Sequence, residues 1–194
     1  MNSEGEFVTD GAGDPVTLFA AGGVGAGNFD WARSWSAGMG GTRAFFKYGE
    51  VGPWLPGKPP RREAERDAAE ARAVADQSGA TCAVGVSRGA RALVGSLADD
   101  PARFDRVALV IPPGGTAAGR YREWLLDRPP RASAPITDLL ILAMRGDQGH
   151  PVRIAEDWAA RLGAQLEVLP SAFRQPDVID AMGTRCGEFL RQGQ

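Results

Sequence analysis

The chain predicts an α/β fold: one mostly parallel sheet of about six strands, covered by helices on both faces. Three observations carry this. Short apolar runs of strand length alternate along the sequence with longer stretches of helical spacing. The run Leu139-Leu140-Ile141-Leu142-Ala143-Met144 has no polar position, as expected of a strand buried on both faces. The small and β-branched residues Thr81 to Val86 pass within a few residues into Ala-rich, helix-forming sequence from Ala90 to Leu97.

In chain order, Met1 to Asp10 is acidic and polar, without the basic and apolar regions of a signal peptide. Gly11 to Pro15 reads as a turn and Val16 to Ala20 as a buried strand. That strand empties into Ala21-Gly22-Gly23-Val24-Gly25-Ala26-Gly27, after which Asn28 can cap a helix carrying Phe29, Trp31, Ala32 and Trp35. Thr42 to Tyr48 is the next expected strand, and Gly49 to Pro60 a proline-rich loop containing Trp54. Arg61 to Gln77 alternates acids, bases and alanines at helical spacing, with Gly79 as its stop signal. Beyond the helix at Ala90 to Leu97, Arg106 to Ile111 is a strand and Pro112 to Pro135 a short lid-like insertion. A helix over Pro151 to Leu162, a strand over Leu166 to Leu169 and a helix over Pro176 to Leu190 complete a single domain, residues 1–194.

Composition narrows the partners. With 43% hydrophobic and 24% charged residues and a formal net charge of −2, the chain reads as an ordinary soluble globular protein. Its 22 basic against 24 acidic residues give no case for nucleic acid. No apolar run approaches the roughly 20 residues that span a bilayer. Cys82 and Cys186 read as buried free thiols, which suits a reducing cytoplasm. A small-molecule substrate is the expected partner, with neither cofactor nor metal; oligomeric state is left open.

Two glycine motifs are traps. Gly52-Pro53-Trp54-Leu55-Pro56-Gly57-Lys58 fits the start of a phosphate loop. However, Pro53 and Pro56 remove backbone donors, and Pro59 stands where a magnesium-binding hydroxyl should be. Nucleotide hydrolysis is rejected. Around Gly23 and Gly25 a dinucleotide fingerprint lacks its third glycine, Asn28 or Asp30 standing there instead. A plain turn suits that segment better than a cofactor loop.

Gly85-Val86-Ser87-Arg88-Gly89, between an expected strand and an expected helix, resembles a nucleophile elbow. On this motif and on Gly146-Asp147 before His150-Pro151, the chain resembles the α/β-hydrolase superfamily over nearly its whole length. The N-terminal hairpin strands are reduced and the lid is small. The resemblance implies Ser87 as nucleophile, Asp147 as triad carboxylate, and an oxyanion hole from the backbone N–H groups of Arg88 and Gly23. It also directs the loops of Trp54 and Phe173 toward the catalytic edge.

The departure is the histidine. The loop after the last strand, Pro170 to Pro176, has none, and the one histidine in the chain is His150. Arg174 in that loop stays protonated and cannot act as base. Either His150 reaches Ser87 from the acid loop, or the usual triad is broken. Three functions stay open. The first is hydrolysis of a small or medium ester, thioester or lactone. The second is a non-hydrolytic tailoring reaction (cyclase, lyase or isomerase), with Arg174 and Arg88 holding an anionic group. The third is a catalytically inactive binding member.

Overall fold

The structure is a computed structural model describing residues 7–21, 27–46, 60–100, 102–111, 138–147, 151–170 and 176–192. Seven strands form one sheet: β1 (Phe7–Asp10), β2 (Val16–Ala20), β3 (Thr42–Phe46), β4 (Cys82–Val86), β5 (Arg106–Val110), β6 (Leu139–Met144) and β7 (Gln165–Leu169). Among the described residues, five helices accompany them: α1 (Gly27–Ser36), α2 (Pro60–Ser78), α3 (Arg88–Asp99), α4 (Val152–Leu162) and α5 (Pro176–Arg191). A short 3-10 turn, Ala37–Met39, follows α1. The spatial strand order is β1-β3-β2-β4-β5-β6-β7, and every pairing is parallel except β1 with β3.

The strand count exceeds the expected six by β1. Its end residues are half-buried and the two between them exposed, so a short edge strand with no buried residue gives the weak apolar signal that reads as a polar start. The central strands behave oppositely. All five residues of β4 and all six of β6 are buried. A parallel strand covered on both faces loses the polar half of its alternation, which is why β6 is so legible in the sequence.

Successive side chains on these strands point to opposite faces and so build two core layers. Leu18, Ala83, Val107, Leu109, Ile141 and Ala143 face α2, α3 and α4, meeting Ala71, Val74, Leu93, Leu97 and Trp158. On the other face Phe19, Val84, Val110, Leu142 and Met144 meet Trp35 of α1 and Met182, Cys186 and Phe189 of α5. Phe19 sits edge-on to Trp35 with centroids 5.2 Å apart, so Trp35 is core. The side chain of Trp31 lies outside what the structure describes.

At the edge where the parallel strands begin, arginines cap helix C-termini. Arg43, second residue of β3, donates to the Ser36 carbonyl at the end of α1. Arg106, first residue of β5, donates to the Phe189 carbonyl in the last turn of α5. Cations there complement the negative helix end and satisfy carbonyls without an intrahelical partner. Two expected boundaries move by a residue or two. Asn28 lies inside α1 rather than capping it, and Pro151 is the cap before α4 rather than its first residue. Gly79 ends α2 with φ +68, as a stop signal requires.

Both cysteines are buried and free. Burial pushes both thiols above their ordinary value of 9.0 because a thiolate there would be poorly solvated. Native protein is therefore expected to resist iodoacetamide at pH 8 until denaturant is added. A group whose folded pKa is raised gives a contribution that is whole below about pH 9 and is lost as the pH climbs beyond it. Urea midpoints across pH 7 to 10.5 should fall at the alkaline end, and replacing both cysteines by alanine should flatten that fall.

Candidate active site

β4 runs directly into α3 with one residue between them, Ser87. Its backbone stands at φ 50, ψ −106, a region L-residues avoid. Holding a non-glycine residue there costs about 1–3 kcal/mol, so the surroundings must over-determine it. Two glycines show how. A Cβ on Gly85 would lie 2.7 Å from the Cα and N of Ala90, because the first turn of α3 folds back over the strand. A Cβ on Gly89 would lie 1.8 Å from the Ala20 carbonyl oxygen, because that turn also packs on the end of β2. The glycines two before and two after the serine are thus required by close backbone approach.

Serine is a favoured helix cap, yet Ser87 stands at the cap position of α3 and makes no side-chain cap hydrogen bond. Its hydroxyl is not spent on closing the helix. Its backbone N–H is held by the Val110 carbonyl at 2.9 Å. The neighbouring strand end is strained as well: Ile111, just after β5, has φ 43, and its N–H is held by the Leu142 carbonyl at 2.7 Å. A β-branched residue in that region is a true outlier. Two strained residues therefore stand side by side where β4 and β5 end.

Asp147 belongs to the same edge. β4, β5 and β6 are consecutive parallel neighbours, with Val86 level with Val110 and Val110 level with Leu142. β4 and β5 end together, and β6 runs two residues further in the same direction, to Met144. The chain leaves β6 through Arg145, turns at Gly146 with φ +86, and reaches Asp147, which is half-buried. Two strand spacings of about 4.8 Å separate the β4 and β6 axes. Ser87 and Asp147 are thus on one rim of one sheet, in the chain order serine then acid. Ala21, where the glycine-rich segment begins, leaves the neighbouring strand β2 at this rim.

The side chain of Arg88 turns toward α2. It forks onto Asp67 of α2, Nε to Oδ2 at 2.8 Å and Nη2 to Oδ1 at 2.7 Å. Arg91 donates to the same Oδ2 at 2.9 Å. Asp67 is fully buried, and the Arg88 side chain is only 11% exposed. The expectation that Arg88 grips an anionic substrate group is corrected accordingly: its guanidinium is already engaged by Asp67 inside the protein. Asp67 escapes a reading of the sequence because a helix rich in acids and bases looks solvated. The available signal is its place on the stripe Asp67, Ala71, Val74, Ala75, the face that α2 buries.

Gly23, His150, Trp54, Phe173 and Arg174 lie outside the described residues, as do the segment from Gly52 to Lys58 and the insertion from 112 to 135. Among the described residues, no helix is long and apolar enough to cross a membrane.

Comparison with known proteins places the architecture. No family model matches the chain, and no curated protein matches its sequence. Solved structures do. An esterase from Exiguobacterium antarcticum aligns with a TM-score of 0.69 at 15% identity, over 96% of this chain and 95% of that one. A monoacylglycerol lipase from Paleococcus ferrophilus gives 0.69 at 11% identity, over 96% and 98%. The Bacillus cereus carboxylesterase gives 0.63 at 13%, over 97% and 96%. At such identities the likeness shows the fold, which is that of the α/β-hydrolases.

The close approach at Gly89 is directly testable. Gly163 caps α4 with φ +64, and a Cβ there would meet nothing within 4 Å. Gly163→Ala is therefore expected to cost only the left-handed strain of about 1–2 kcal/mol. Gly89→Ala adds a collision with backbone and is expected to lower stability several times more. Urea unfolding of the two variants compares them. A Gly89→Ala protein that unfolds at the wild-type midpoint would contradict the geometry.

Proposed function

We propose that this protein is a serine hydrolase acting on a small or medium ester, thioester or lactone. The observation that carries the reading is Ser87: a strained serine at a one-residue strand-to-helix turn, not used as a helix cap, on the sheet rim that also holds Asp147. A serine held at such a cost, with its hydroxyl kept from the capping role its position offers, is what nucleophilic catalysis needs. The fold shared with esterases and a lipase supports the same reaction class.

In this mechanism the Ser87 hydroxyl attacks the acyl carbon while a base takes its proton. The carbonyl oxygen becomes an oxyanion, held by the backbone N–H groups of Arg88 and Gly23. The support is positional: α3 starts at Arg88 with its positive end, and the segment carrying Gly23 follows β2, the neighbour of β4. Collapse expels the alcohol, thiol or ring oxygen, which recovers the proton, and leaves an acyl-serine. Water then attacks that acyl group by the same route. Asp147 orients the base and stabilises its cationic form. His150 is the base in this reading, three residues beyond Asp147 in the sequence. In this reading Trp54, Phe173 and Arg174 bind the substrate, and Arg174, which stays protonated, takes no part in proton transfer.

The test is covalent labelling with a fluorophosphonate followed by peptide mass analysis. Ser87 is expected to carry the phosphonyl group, and Ser87→Ala to abolish labelling. Asp147→Asn should slow turnover of a p-nitrophenyl acyl ester about 10⁴-fold, the effect of losing a triad carboxylate. His150→Ala should lower it to the level of Ser87→Ala, because triad members act as a unit. Wild-type protein that is not labelled, or label that persists in Ser87→Ala, would sink the reading and leave a non-hydrolytic or inactive member of the fold. Full activity in His150→Ala would remove that residue alone.

A further inference from the structure

We infer that Asp67 is a positioning residue for the oxyanion side of the site, acting through the side chain of Arg88. The inference rests on the proposed roles of Ser87 and of the Arg88 backbone N–H.

The residue following the strained serine is gripped from outside its own helix. Both carboxylate oxygens of Asp67 bond Arg88, in a planar fork with distances of 2.7 and 2.8 Å. Such a fork fixes direction as well as distance, unlike a single contact to a lysine. Arg91, one turn further along α3, bonds the same carboxylate, so the first turn is fixed in tilt and in rotation together. The post that holds it is rigid. α2 is 19 residues long and seats Ala71, Val74 and Ala75 in the core, each at 0% exposure. Asp67 itself is fully buried, so water has no access to replace either arginine. Exposed Arg66 adds only a longer ion pair at 3.8 Å.

The placement of charge along the α2–α3 contact is selective. Through its middle the contact is apolar: Ala71, Val74 and Ala75 of α2 with Ala90, Leu93, Val94 and Leu97 of α3. At the far end the pairs Arg72–Asp99 and Asp76–Arg103 lie at the surface. Among the described residues, the buried cluster stands only at the end that carries Ser87. Well-packed apolar residues hold two helices together as well as a buried ion pair does. What they do not supply is a directional hold on one residue. An amide donor displaced by about 1 Å loses on the order of 100-fold in rate, which sets the size of the effect to look for.

The experiment follows fluorophosphonate labelling of Ser87 in wild type, Asp67→Asn and Val74→Ala, the last removing core packing from the same helix without touching the cluster. All are measured on the full chain, below the melting temperature of the weakest. Asp67→Asn is expected to lower the maximal labelling rate about 100-fold with an unchanged half-saturating probe concentration. Val74→Ala is expected to label at the wild-type rate despite its lower melting temperature. Hydrogen exchange of the peptide spanning residues 86–91 should speed up in Asp67→Asn and not in Val74→Ala. If Asp67→Asn does not fold, Asp67→Glu keeps the charge but moves the carboxylate by one methylene, and slower maximal labelling is again expected. Wild-type labelling rates in the Asp67 variants, or rates that fall equally in Val74→Ala, overturn the inference while leaving the hydrolase reading intact. Wild-type protein that is never labelled overturns both.

Discussion

The reversal at Ser87 dictates how the elements around it are placed. One residue carries the chain from the end of β4 into α3, at φ 50, with no loop to spread the turn. A connection that short needs the helix backbone to touch two strands at once. Only residues without a Cβ permit it, at Gly85 against Ala90 and at Gly89 against Ala20. The strain is local, and the restraint on it is distributed. The fully buried β4, the ladder bond from Ser87 to Val110 and the parallel bond from Ile111 to Leu142 hold the ends of β4 and β5 level and tie them to β6. A rim held level in this way is what allows groups from separate strands to act on one ligand.

The two rims of the sheet are secured by different chemistry. Where the parallel strands begin, Arg43 and Arg106 close helix C-termini, turning unpaired carbonyls into acceptors for charged donors. Where β4 ends, the helix in question presents its N-terminus, and no carbonyl is available to hold. There a carboxylate supplied from α2 takes hold of side chains on α3 instead. Between the rims the sheet is alternately loaded by aliphatic residues toward α2, α3 and α4 and by larger aromatic and thioether groups toward α1 and α5. Breaking one partner of a buried charge cluster typically costs about 3–5 kcal/mol, comparable to losing a large core side chain. The charged hold at Asp67 therefore matters to stability as well as to geometry.

Legibility in the sequence follows burial. β6 can be read to the residue because both of its faces are covered and no polar position interrupts it. β1 escapes because none of its four residues is buried and they pair only with β3. The helix boundary at Pro151 shifts by a residue, since a proline suits both the cap and the first turn. The site divides in the same manner. Ser87 and Asp147 announce themselves through glycine punctuation around strand ends. Arg88 is legible only for its backbone, because nothing in a linear reading indicates that its guanidinium turns inward to a carboxylate 21 positions earlier.

Local order along the chain suffices for the alternation of strand and helix, for the parallel sheet that alternation implies, and for the two residues its turns expose. Those features depend on periodicity and on the steric freedom of glycine, which neighbours in sequence already express. Folding in three dimensions adds the antiparallel edge of β1, the level ends of β4 and β5, and the burial of Asp67 between two arginines. Each of these depends on which distant segments meet, and a charged residue on an alternating helix takes its role from the surface that happens to cover it.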